Sequence, residues 1–195
     1  PSPLPTDAEP PTAARALPPP QADLVQTRVD HRHGQYPKPT PELYGAVTDE
    51  APANGLRVTA HVFTLDDANG LLQANLDAFA HGIRDRDIDD EVVAMWKERP
   101  DVVLVPNLPG PGVAEDLGWL AGTVPTERLD EMQAGSVDRP AAQEAFGIQA
   151  RNLVRLRDEG IQVAFGTDGS APWAVHQEMA PSSRTECYSW MGKTS

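Results

Sequence analysis

Two histidines and one aspartate follow short apolar runs: His61 closes Leu56-Arg57-Val58-Thr59-Ala60, His81 closes Phe79-Ala80, and Asp168 stands three residues past Val163-Ala164-Phe165. Two imidazoles and a carboxylate are the usual protein ligands of a catalytic zinc, which keeps a fourth position for water. Water held there becomes acidic enough to attack a carbonyl or imine carbon, and Asp168 is placed to take its proton. Each residue alone has a blander reading. A histidine after a strand is commonly a hydrogen-bonded structural residue, and Gly166-Thr167-Asp168-Gly169 on its own is a turn in which the carboxylate caps backbone donors. The shared placement of all three, each just beyond an apolar run, is what points to metal chemistry.

The elements that must hold them follow from periodicity. Apolar runs at 24–29, 56–60, 78–80, 102–105 and 161–165 read as strands, and 41–53, 66–75, 89–98 and 141–159 read as helices with acidic residues near their starts. Strand alternating with helix predicts an α/β fold around a parallel sheet. In a parallel β/α barrel the carboxyl ends of the strands converge on the active site, so ligands far apart in sequence can share one cup. Residues 107–140 form a longer insertion, rich in Gly and Pro and then helix-like over 127–134. Five strands do not close an eight-stranded barrel, and an open piece leaves two edges able to pair with another copy or another segment.

Composition narrows the partners. With 16 basic against 29 acidic side chains the formal charge is −13, which repels phosphate backbones and anionic lipid, so neither nucleic acid nor membrane is an expected partner. A small-molecule substrate is expected, with a homo-oligomer as the way to cover open edges. No apolar run reaches the roughly 20 residues that span a bilayer. A soluble, cytoplasmic chain is the working expectation, and a start at Pro1 reads as a processed chain or a fragment. The single Cys187 allows neither an internal disulfide nor a cysteine-based zinc site, so any metal must rest on His and carboxylate. Residues 1–22 hold eight of the 20 prolines and read as an extended leader, 23–180 as the barrel domain, and 181–195 as an irregular tail.

The runs Gly55 to His61, Ala78-Phe79-Ala80-His81-Gly82 and Gly160 to Gly169 together resemble the amidohydrolase superfamily, in particular its imidazolonepropionase- and prolidase-like branch. The resemblance covers about residues 23–180 and implies a partial TIM-type barrel, strands four to eight. His61 would end the fifth strand, His81 the sixth and Asp168 the eighth. It implies His61, His81 and Asp168 as metal ligands, Asp168 as the catalytic proton shuttle, and hydrolysis of an amide or cyclic C–N bond. The first-strand His-x-His pair of that family has no counterpart before Asp23. Where many members carry a carboxylated lysine on the fourth strand, Gln26 stands, and an amide cannot form a carbamate. One divalent ion, zinc or similar, is therefore expected rather than two. The alternative is a catalytically impaired piece that keeps the fold and completes its barrel by association.

Other polar clusters have weaker claims. His31-Arg32-His33 has ligand-pair spacing but lies in a predicted loop, and His176 lies in a loop past Asp168. Arg84 and Arg86 follow His81 and could hold a substrate carboxylate, although Arg84-Asp85-Arg86-Asp87 reads first as a solvated helix entrance.

Overall fold

A computed structural model describes residues 22–31, 36–108 and 110–168. Residues 1–21 of the Pro-rich leader, the predicted tail, His33 and His176 lie outside the described residues. Within them, a four-stranded, all-parallel sheet has the order β1 (Leu24–Arg28), β2 (Arg57–His61), β3 (Ala78–Ala80), β4 (Val103–Val105). Between the strands run α1 (Pro41–Ala53), α2 (Leu65–Gln73) and α3 (Asp90–Glu98); α4 (Thr126–Gly135) and α5 (Pro140–Asp158) follow β4. The architecture is the α/β, partial-barrel arrangement expected, and every predicted helix is present within one or two residues at each end. The predicted fifth strand is reduced to a single parallel bridge, Leu104 to Val163, flanked by backbone bonds from Leu104 to Gln162 and from Ala164 to Leu104.

Helix starts follow from local chemistry. Thr40, Thr64 and Asp89 sit in extended conformation and accept from the backbone N–H of Leu43, Asp67 and Val92, and Pro41 opens α1 where no donor is lost. Asp66, Asp67, Asp90 and Glu91 place negative charge against the positive helix ends.

Strand alternation separates two faces. Val58, Ala60, Phe79 and Leu104 join one core with Leu71, Val92, Trp96, Leu153 and Leu156 from the helices and Leu76 from the turn before β3. Phe79 and Trp96 meet with ring centroids 4.7 Å apart, and the indole N–H of Trp96 donates to the Val102 carbonyl. Gln26, Arg28, Thr59 and His61 take the alternate positions. A smaller cluster of Leu117, Leu120 and Val124, covered by Leu129 and Met132, gives the insertion its own packing. Among the described residues no helix is long and apolar enough to cross a membrane.

Candidate metal centre at the strand ends

Parallel register brings the two histidines to one rim. His61 is the last residue of β2 and pairs with Ala80, so His81 emerges one residue beyond on the adjacent strand. Their rings stand edge to face with centroids 4.2 Å apart. His81 has φ 69°, Asn107 φ 39° and Asp168 φ 47°, three non-glycine residues in the left-handed region just past consecutive strand positions. Backbone strain of this kind persists where surrounding structure over-determines it, and it gathers at functional sites. The backbone N–H of His81 donates to the Val105 carbonyl at 2.8 Å, which fixes the turn that aims its ring.

Both imidazoles are buried and held neutral. Burial pushes His61 down to about 3, helped by neighbouring His81 and Arg28 and opposed by Asp30. Burial also lowers His81, with Arg84 adding to the effect and Asp168 opposing it. A neutral imidazole offers the lone pair that a metal requires.

Of the predicted ligands, Asp168 stands with Oδ2 at 3.8 Å from His81 Nε2, its side chain largely exposed. A second carboxylate, Asp30, lies closer to the pair: its Oδ2 is 3.3 Å from His61 Nε2. Sequence reasoning passed over Asp30, although it follows β1 as Asp168 follows the last apolar run. The fourth-strand position also differs from expectation. Gln26 pairs with Thr59, one pleat below the rim, and Arg28 pairs with His61. Neither side chain can form the lysine carbamate, so a lysine-bridged pair of ions is disfavoured at both positions. Nη2 of Arg28 lies 3.2 Å from Nδ1 and 3.1 Å from Nε2 of His61.

Two neutral nitrogens flanked by carboxylates fit a divalent cation in donor chemistry. Among the described residues, however, no three His, Cys, Asp or Glu side chains converge as a ready ion site. The fit is to part of a ligand set. Arg28 fills the space against His61, its side chain 40% exposed on edge strand β1.

The loop after His81 is also more ordered than its charge pattern implied. Arg86 pairs with Asp66 and is exposed, as expected of a solvated entrance. Arg84 departs from that reading: it is partly buried, its Cζ lies 3.6 Å from the centroid of the Phe63 ring, and burial lowers its pKa to about 10. Asn152 of α5 holds the loop, donating to the carbonyls of Ile83 and Arg86 at 3.0 and 2.9 Å and accepting from the backbone N–H of Ile88 at 2.9 Å. Gln149, one turn earlier, donates to the Pro106 carbonyl at 2.7 Å. His31 is exposed beyond β1.

No protein-family model matches the chain. Uncharacterized proteins of Mycobacterium tuberculosis and Mycobacterium bovis are 31% identical over 155 residues, 76% of this chain, and the chain spans only 36% of their length. Solved structures give the same partial coverage. An amidohydrolase superposes with TM-score 0.61 at 17% identity, covering 94% of this chain and 45% of its own. A Xaa-Pro dipeptidase with methionine bound in its active site gives 0.56 at 19%, covering 89% and 42%. The ochratoxinase of A. niger gives 0.55 at 18%, covering 86% and 36%. The strand order, the helices between strands and these superpositions agree: the chain shares part of the fold seen in those amidohydrolase, dipeptidase and ochratoxinase structures.

Proposed function

We propose that the chain supplies His61, His81 and Asp168 to the metal site of an amidohydrolase-type hydrolase that cleaves an amide or cyclic C–N bond of a small molecule. The rest of the ligand set would come from barrel strands other than those described, in the same or an associating chain. The observation that carries this reading is the pair of buried, neutral imidazoles at 4.2 Å on the carboxyl rim of a parallel sheet. A divalent ion bound there would acidify water and polarise the scissile carbonyl. His61 and His81 hold their lone pairs free of protons at neutral pH. Asp168, exposed and beside His81, takes the proton released as water attacks and returns it to the departing nitrogen.

The test is metal content. After equilibration with zinc, the purified chain should retain roughly one equivalent, and His61→Ala or His81→Ala should lose it. Retention well below that level, unchanged by both substitutions, removes the metal-site claim.

Arg28 against both nitrogens of His61 favours a second reading, in which the rim keeps the fold and a guanidinium takes the place of the ion. On that reading Arg28→Met does not restore zinc uptake. Leu24 on β1, 45% exposed, and Phe165 beyond the last bridge, 52% exposed, leave apolar surface at both sheet edges, which an associating copy would cover. Sedimentation showing only monomer at high concentration would count against that association.

A further inference from the structure

We propose that Gln149 is a positioning residue of this rim: it pins the turn after β4 so that the Asn107 carbonyl meets Nδ1 of His81, keeping the ring proton there and the Nε2 lone pair open. The use of that lone pair by an ion rests on the hydrolase reading above; the pin rests on its own geometry.

Gln149 shares the buried stripe of α5 with Phe146, Ala150, Leu153 and Leu156, and it is 1% exposed. Its Nε2 donates to the Pro106 carbonyl at 2.7 Å, while its Oε1 is buried with no hydrogen-bond partner. One neutral hydrogen bond contributes less to a fold than an unsatisfied buried oxygen typically costs it. Stability alone therefore gives no reason for a glutamine here rather than an apolar residue of the same length. The amide is explained by what its donor holds.

That partner is the strand-end turn facing His81, where Val105, Pro106 and Asn107 offer successive carbonyls. The first accepts from the His81 backbone N–H at 2.8 Å and the second from Gln149. The third meets the His81 ring: burial lowers the pKa of His81, and a backbone hydrogen bond at Asn107 works against that. A bond that favours the protonated ring is one in which the ring donates and the carbonyl accepts. Nε2 of the same ring faces Asp168 at 3.8 Å, so Nδ1 is the nitrogen left for Asn107. The other flank of the amide is as close. Gly82 directly follows His81, and a Cβ built on it would stand 3.0 Å from Nε2 and 3.1 Å from Cγ of Gln149. The glutamine is thus wedged between two turns that each carry a non-glycine residue in the left-handed region, His81 at φ 69° and Asn107 at φ 39°. Such conformations persist where neighbours over-determine them. An imidazole whose one nitrogen is fixed by a backbone carbonyl presents the other in a single tautomer and direction, as an ion requires.

The test is the tautomer of His81 in the metal-free 195-residue chain, read from long-range proton–nitrogen NMR correlations of isotope-labelled imidazoles. In the parent chain His81 should be a single tautomer, protonated at Nδ1. Gln149→Met, which keeps the length without the donor, should give a mixture of both tautomers at His81 and leave the tautomer of His61 unchanged. Gln149→Asn, which keeps the amide but falls short of Pro106, should do the same and serves if the methionine variant fails to fold. Zinc affinity of either variant should fall by about tenfold. A parent ring protonated at Nε2, an unaltered His81 in the variants, or equal tautomer mixing at His61 and His81 would each overturn the positioning role. Zinc uptake by the parent separates the two claims: no uptake with a His81 tautomer that follows residue 149 sinks the hydrolase reading alone, and normal uptake with a His81 indifferent to residue 149 sinks the pin alone.

Discussion

Nη2 of Arg28 stands 3.1 Å from Nε2 of His61 and 3.2 Å from its Nδ1, a cation from one strand set against an imidazole at the same register of the next. A neutral imidazole accepts through one nitrogen only, so the guanidinium satisfies the ring without a matched pair of bonds. Asp30 lies 3.6 Å from Nε of the same arginine and 3.3 Å from His61, and it balances the charge. The three groups form a small electrostatic circuit where a metal would otherwise draw on the histidine.

Removing that cation should therefore favour a metal. Arg28→Met is expected to tighten zinc binding by several-fold, because the ion no longer displaces a like charge and Asp30 is released to face it. Competition against a chromogenic chelator measures this, and unchanged or weaker binding would contradict the arrangement.

Stability should fall with acid in a window set by His61. Its folded pKa is depressed to about 3, whereas the unfolded group takes its proton near the ordinary value of 6.5. The unfolded state then binds more protons at every pH between the two, so stability is fully present above about 6.5 and is lost progressively as pH falls toward 3. Each pKa unit corresponds to about 1.4 kcal/mol, so a loss of a few kcal/mol is expected over that range. Denaturant unfolding of the metal-free chain at pH 7 and pH 4.5 should show it, with a shallower slope in His61→Gln.

Asn152→Ala should destabilise the chain by about 2 to 3 kcal/mol, since it strands one buried carbonyl, one partly buried carbonyl and one buried N–H together. A melting temperature unchanged from the parent would show that the loop after His81 is held by something else. Asn152→Asp, which keeps the acceptor but loses both donors, should fall on the destabilised side too.

Gly166 has no room for a methyl group. A Cβ there would come within 2.4 Å of Val105 Cγ1 and 2.9 Å of Asn107 Oδ1. Gly166→Ala is expected to push the segment off β4, at about 1 to 3 kcal/mol, and to displace Asp168 two residues on. Reduced zinc retention in a chain that still unfolds cooperatively is the anticipated signature, and parental retention would count against it.

Much of the fold was legible because strand ends and helix caps are local signals. Val58, Ala60 and Phe79 announce buried strands by type, and Thr40, Thr64 and Asp89 announce helix starts. His61 and His81 were legible for the same reason: each closes an apolar run, and parallel pairing does the rest. Arg28 and Asp30 were not, because their importance depends on a register between β1 and β2 that only pairing fixes. Gln149 and Asn152 were hidden differently. They occupy the buried stripe of α5 beside Phe146, Leu153 and Leu156, where an apolar pattern treats polar residues as interruptions. The weakened fifth strand has a plain cause: Gln162 and Ala164 bond Leu104 on one side of the segment, and Val163 and Phe165 remain exposed.

The clamp by Asn152 bears on how this molecule can change. Three bonds from one amide span residues 83 to 88, so a single added or deleted residue there would pull at least one of them out of reach. Most surface connections absorb length changes readily. This one should diversify by exchange of side chains at constant length, whereas the insertion at 107–140, packed on its own small cluster, is free to grow or shrink.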